Sequence, residues 1–328
     1  MKSFLMFLSF LACISVYAQP KQGYDISFKI SGLRDSSIYL AYHFGDKQYL
    51  KDTVKLDGSG SARFKGVEML PQGIYMIVLP GKRYFEVLVS DNQFFSLTCD
   101  YPDFYNTLKF TGSSENSYFI EYQKKWSEMQ QHASSVAQRI NTNKQNQDSV
   151  KKLQEIQKSA EKDMKNYLRT VVDENKENLL GILVKSMIPI EIPDFQIPQT
   201  LKNRDSLQWV MRYNYNKNHF FDNIDLNDER LLRTPILQAR LETYFNDVLL
   251  PVPDSLNRAV DYIIAKCRNN YKVFQFVSVY LFNHFRESQI MGQDAVLLKI
   301  SDDIYLSGKA DWVSKEFLED LKKQTELL

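Results

Sequence analysis

Two hydrophobic periods divide the chain. From Tyr24 to Gly112 apolar residues recur at every second position. Tyr24, Ile26, Phe28 and Ile30 alternate with Asp25, Ser27, Lys29 and Ser31, Gly32 ends the run, and Ile38, Leu40 and Tyr42 repeat it. Such alternation predicts strands with one buried face. Val54 and Leu56 lead into Asp57-Gly58-Ser59-Gly60, a tight-turn sequence, and Ala62 and Phe64 return on the same face as a hairpin. Further apolar runs at 74–79, 84–89, 94–99 and 107–110 are punctuated by Pro71-Gln72-Gly73 and Pro80-Gly81. About eight short strands with regular turn signals predict an antiparallel β-sandwich or barrel.

After Gly112 the period lengthens to that of helices. The Ser113-Ser114-Glu115-Asn116 stretch caps a helix over 118–140, and residues 141–148 form a polar break. A long charged helix over 149–175 carries a narrow apolar stripe of Val150, Leu153, Ile156, Met164, Leu168 and Val171. A short apolar helix is expected at 179–187, and Pro189, Pro193 and Pro198 then force an extended segment. Thr234-Pro235 starts a helix through Leu249. Pro253-Asp254 starts another, with Leu256, Val260, Ile263, Ile264 and Cys267 on one face. Residues 273–285 are apolar nearly all round, the mark of a buried central helix. Gly292 breaks the chain, Asp294 sits in the first turn of the next helix, and Asp311 caps a last helix from Trp312 onward. That helix runs to Leu328 without Gly, Pro or cap, the pattern of an interrupted chain. The expected class is therefore α+β, an N-terminal antiparallel β-sandwich or barrel followed by an all-α helical domain. The division reads as a leader over 1–18, a β domain over 19–112, long polar helices or linker over 113–175 and a helical domain over 176–328.

The first residues change the picture of where the chain works. Lys2 supplies one positive charge, residues 4–12 are apolar but too short to span a bilayer, and Val16-Tyr17-Ala18 precedes polar Gln19-Pro20. These features describe a secretory signal peptide cleaved after Ala18, which makes the chain exported and periplasmic. Phe10-Leu11-Ala12-Cys13 also fits a loose lipobox, so a lipid anchor on Cys13 is the alternative. Removing residues 1–18 takes away one Lys and no acid, leaving 40 basic against 40 acidic residues. That balance argues against nucleic acid and against electrostatic membrane docking, and no other apolar run is long enough for a transmembrane segment.

Candidate chemistry is sparse. Only Cys99 and Cys267 remain after processing, with no Cys-x-x-Cys, and both fall on apolar faces. Gly58-Ser59-Gly60-Ser61 lacks the Gly-Lys-Ser/Thr of a phosphate loop. His43, His132, His219 and His284 lie in no nucleophile-elbow, zinc-protease or Cys-paired setting. No catalytic residue, cofactor site or metal set is expected. His284, Asp294 and Trp312 are candidates for a binding surface. The competing reading makes His284 a boundary histidine, Asp294 a helix-start charge and Trp312 a packing residue. The abundant Tyr and Phe suit a peptide or carbohydrate groove as well as ordinary core.

The run from Asp52 to Gly66 resembles the central hairpin of a β-rich domain of unknown function. That domain opens many exported thioredoxin-fold proteins of the Bacteroidetes. Ile290-Met291-Gly292-Gln293-Asp294-Ala295-Val296 and the run from Tyr305 to Trp312 resemble the helical domain of unknown function that often follows it. In such relatives a TlpA-like thiol-disulfide oxidoreductase domain with a Cys-x-x-Cys comes next. The resemblance implies an accessory module that orients or docks a thioredoxin-fold domain or partner. A free-standing periplasmic or surface protein that binds a peptide or glycan is the alternative. The resemblance also implies O-glycosylation motifs at Asp52-Thr53-Val54, Asp148-Ser149-Val150, Asp205-Ser206-Leu207 and Asp254-Ser255-Leu256.

Overall fold

The alternating segments become eight strands: β1 (Tyr24–Ser31), β2 (Ser37–Phe44), β3 (Lys47–Lys55), β4 (Ser61–Gly66), β5 (Gly73–Leu79), β6 (Arg83–Val89), β7 (Phe94–Asp100) and β8 (Lys109–Thr111). The structure is a computed structural model and describes residues 22–326. The leader, its cleavage point, Cys13 and the last two leucines lie outside the described residues.

The strands form two four-stranded sheets, in the orders β4-β1-β7-β8 and β3-β2-β5-β6. Their facing sides bury Ile26, Phe28, Ile30, Leu40, Phe64, Ile77 and Leu97 in one core. The expected sandwich is present, and its pairs are antiparallel except one. β1 runs parallel to β7, from Asp25 beside Phe94 to Ser31 beside Asp100. All of β2 to β6 lies between β1 and β7 in the chain, and a connection that long can arrive in either direction.

The Asp57–Gly60 turn also differs from a hairpin. β3 pairs with β2 and β4 pairs with β1, so the turn is a corner that carries the chain from one sheet to the other. The Asp57 carboxylate caps the corner, accepting from the Ser59 hydroxyl and from the Ser59 and Ser61 amides, and these bonds hold it below the usual carboxylate range. Gly60, at φ 79°, lies so close to β1 that a Cβ there would sit 2.5 Å from the Ile30 carbonyl oxygen.

β5 is buried along nearly its whole length rather than at alternate residues. Tyr75, Ile77 and Leu79 face the sandwich core, whereas Ile74, with Leu88 of β6, belongs to the core of the helical region. A continuous apolar strand is what a sheet covered on both faces requires. The two units thus share a core across the outer face of the second sheet.

A short helix, α1 (Phe104–Thr107), precedes β8. Helix α2 (Ser114–Thr142) then runs beside the β6 edge, and α3 (Gln147–Glu174) returns antiparallel to it. Ser113 caps α2 by accepting from the Asn116 amide. The buried Asn116 side chain accepts from the Leu88 N–H and donates to the Leu88 carbonyl, completing hydrogen bonds on the free side of β6. Helix α4 (Leu179–Met187) begins with its Leu180 amide donating to Glu115 at 2.9 Å. Helix α5 (Arg204–His219) has no buried residue, which is why no apolar period announced it.

The remaining helices are α6 (Ile236–Thr243), continued by a π turn over Tyr244–Val248, then α7 (Pro253–Cys267), α8 (Tyr271–Arg286) and α9 (Asp294–Ile300), with a second π turn over Ser301–Leu306, and α10 (Lys315–Thr325). α8 lies centrally and buries Val273, Val277, Leu281, Phe282 and Phe285. The last helix starts at Lys315, capped by Ser314 accepting from Phe317, so Trp312 and Asp311 lie in the preceding turn. No helix among the described residues is long and apolar enough to cross a membrane.

Candidate binding groove between the sheet and the helices

Gly45 and Asp46 make the two-residue turn between β2 and β3. Gly45 has φ 60°, and a Cβ there would lie 2.4 Å from Gln238 Oε1 and 2.8 Å from the Phe276 ring. Only glycine lets this hairpin tip press so closely onto α6 and α8. The Gly45 amide donates to the Leu232 carbonyl, the Asp46 amide donates to Gln238 Oε1 at 3.0 Å, and Phe44 meets Phe276 edge to face at 5.4 Å.

Beside this junction lies an open groove of about 620 Å³. One wall is the hairpin, with Phe44, Asp46, Lys47 and Tyr49; the other is the outer side of α6 and α8, with Glu242, Tyr280 and His284 among its residues. Gln238 receives the Asp46 amide on its oxygen and donates its Nε2 to Glu242 Oε1 at 2.9 Å, which orients that carboxylate. Tyr280 stacks on His284 with ring centres 5.7 Å apart, and its hydroxyl is buried without a hydrogen-bond partner. Burial holds the His284 imidazolium down, against the opposing pull of Glu242 and Glu287, so the ring is neutral at pH 7.

The residues singled out from sequence do not meet in one place. His284 lines the groove near the C-terminal end of α8. Trp312 packs edge-on against Tyr271, Phe274 and Tyr305 near the other end of that helix, ten residues or roughly 15 Å away along its axis. Asp294 is exposed in the first turn of α9, just after Gly292 at φ 86°. Of the three, only His284 lines the groove. Asp46, Tyr49, Glu242 and Tyr280 were not singled out from sequence; the Gly45-Asp46 turn marks a hairpin there, but not the helices it docks on.

Other clusters are chemically closed. Cys99 and Cys267 are unpaired and buried, and desolvation pushes both thiols up to about 12. His219 Nδ1 lies 2.7 Å from Asp222 Oδ2, the geometry of an oriented base, yet no Ser, Thr or Cys lines that cleft among the described residues. In a cavity beside α7 and α9, Lys299 already bridges Asp261 and Asp303, and Lys309 donates to the Asp303 carbonyl. No group of three or more His, Cys, Asp or Glu that could hold a metal ion occurs among the described residues.

No curated protein and no solved structure matches this chain. Two families do. Residues 24–119, the sandwich and the start of α2, match the Domain of unknown function DUF4369. Residues 137–328 match the Domain of unknown function DUF5106. The second match covers more than half of the sequence and all the helices from α3 onward, so the chain belongs to the DUF5106 family and carries a DUF4369 domain ahead of it.

Proposed function

We propose that this chain is a non-catalytic accessory module of a thiol-disulfide exchange system, exported to the periplasm of a Bacteroidetes-type cell. Its role is to orient or dock a thioredoxin-fold domain or partner. The observation that carries the reading is the state of its thiols. Exchange requires an accessible thiolate, whereas Cys99 and Cys267 are 3% and 0% exposed and raised to about 12. A module of this kind contributes rigid placement, and the shared core and the Gly45 junction supply it. The link to a thioredoxin-fold partner comes from the resemblance of the two-domain arrangement. The test is an insulin-reduction assay with a purified thioredoxin-fold protein carrying Cys-x-x-Cys from the same genome, run with and without this chain. The chain alone is expected to be inactive, and its addition is expected to change the partner's rate or to yield a stable complex. Turnover by the chain alone that disappears in Cys267→Ala, or no effect and no complex with any such partner, overturns the proposal.

A second reading is favoured by the groove itself: a free-standing binding protein for a peptide or glycan. Aromatic rings and orienting polar groups converge there on space of ligand size.

A further inference from the structure

We infer that the groove between the β2–β3 hairpin and α8 binds an alkyl cation, a primary ammonium or a guanidinium group, such as a basic side chain of a peptide presents. The inference rests on the ligand-binding reading of the groove and specifies its chemistry. Three carboxylates line it, Asp46, Glu242 and Glu287, against a single basic side chain, Lys47. Asp46 and Glu242 have no ion-pair partner among the described residues, in contrast to the bridged carboxylates beside Lys299. Glu287 reaches only the exposed Arg286, at 4.0 Å. The groove is thus an unneutralised acidic site in a chain whose charges otherwise balance.

The walls suit the same guest. Phe44, Tyr49, Phe276 and Tyr280 give the groove aromatic surfaces, and a cation near a ring face is attracted by its quadrupole. The methylene stem of a Lys or Arg side chain packs on such rings while its head reaches a carboxylate. Glu242 is held by Gln238, and Gln238 by the Asp46 backbone, so a charged partner meets a fixed acceptor rather than a freely rotating one. Neutral His284 does not oppose a cation, whereas its protonation would add a positive charge to the wall.

Calorimetric titration of the purified chain tests this with four probes: acetyl-Gly-Arg-Gly amide, the same peptide with citrulline, acetyl-Gly-Glu-Gly amide, and spermidine. The arginine peptide is expected to bind, more weakly as salt is raised. The citrulline peptide, which keeps shape and loses charge, is expected to bind roughly tenfold more weakly, and the glutamate peptide not at all. Glu242→Gln, which preserves the hydrogen bond from Gln238, is expected to lose roughly tenfold in arginine-peptide affinity at an unchanged melting temperature. Tyr49→Ala, on the exposed hairpin, is expected to weaken every cationic probe without touching a carboxylate. Spermidine binding as tightly as the peptide assigns the site to free polyamines; weaker spermidine binding assigns it to basic polypeptide. Equal binding of the arginine and citrulline peptides, or full affinity in Glu242→Gln, overturns the inference while leaving a ligand groove in place. Absence of binding by every probe, with a panel of neutral oligosaccharides and peptides also silent, overturns the ligand-binding reading as well.

Discussion

Single residues in this protein carry weight according to what a neighbour would lose. Gly45 is one case. Alanine there must adopt a left-handed backbone and place its Cβ on Gln238 and Phe276. The strain alone costs about 1–3 kcal/mol. Gly45→Ala should therefore lower the urea midpoint and free the hairpin from α6; hydrogen exchange at the Asp46 amide reads the second effect. Trp312 and Asp294 form a contrasting pair. Trp312 is half-buried among three aromatic rings, so Trp312→Ala should cost about 2–3 kcal/mol, below the range for a fully buried ring. Asp294→Ala removes only an exposed charge from a helix start, about 0.3–1 kcal/mol. Thermal melts of the two variants should separate clearly. If Trp312→Ala melts like the parent chain, its ring is not a packing element, and the aromatic cluster around it becomes a binding surface.

Among the elements, α2 performs two tasks through adjacent residues. Glu115 accepts the Leu180 amide at the start of α4, and Asn116 completes the β6 edge at Leu88. Asn116→Leu would leave the Leu88 N–H and carbonyl buried without partners, at a cost of about 1–3 kcal/mol for each group. Denaturant unfolding should register a loss of several kcal/mol, and Asn116→Asp should recover part of it by restoring the acceptor. The opposite edge of this sheet is protected differently. β3 exposes Lys47 and Lys51, and its pairing with β2 shifts register between Leu40 and Ala41. Charge and irregularity of this kind discourage strand addition. Helix α5 shows the converse of α2. Trp209 and Tyr213 stack on its surface 5.3 Å apart, so its aromatics pack against one another rather than into a core.

At the scale of the whole molecule, the joint core ties the state of the thiols to folding. Cys99 lies in the sandwich core and Cys267 in the helical core, and each is held up to about 12 by desolvation. An unfolded thiol ionises near pH 8.5. Below that pH both states are protonated and the thiols add no pH dependence. As pH rises from about 8.5 towards 12 the unfolded chain releases these protons first, so stability falls. Tyr75 and Tyr244, also raised by burial, act in the same direction above about pH 10. The melting temperature is thus expected to decline above pH 9. A thiol-specific disulfide reagent at pH 8 should label neither cysteine until denaturant is added. Rapid labelling of the native chain would place a thiol at the surface and remove the main support for a non-catalytic role.

The sequence alone determined the kind of each unit, because periodicity is a local property. Alternation in 24–30 requires a half-buried strand, and the spacing of Leu256, Val260, Ile263 and Cys267 requires a helix with one inward side. The core position of both cysteines follows from the same reasoning. Helix α5 was invisible to it because burial creates the period and that helix buries nothing. Pairing across distance was beyond local pattern too. Whether the Asp57–Gly60 turn joins partners in one sheet or carries the chain between two sheets depends on where β1 and β2 lie. The groove belongs to this second class. Asp46, Glu242 and His284 are separated by up to 238 positions, and each alone reads as an ordinary surface or boundary residue. The docking of the Gly45 tip onto α6 and α8 brings them to one cavity, through contacts that no single segment specifies.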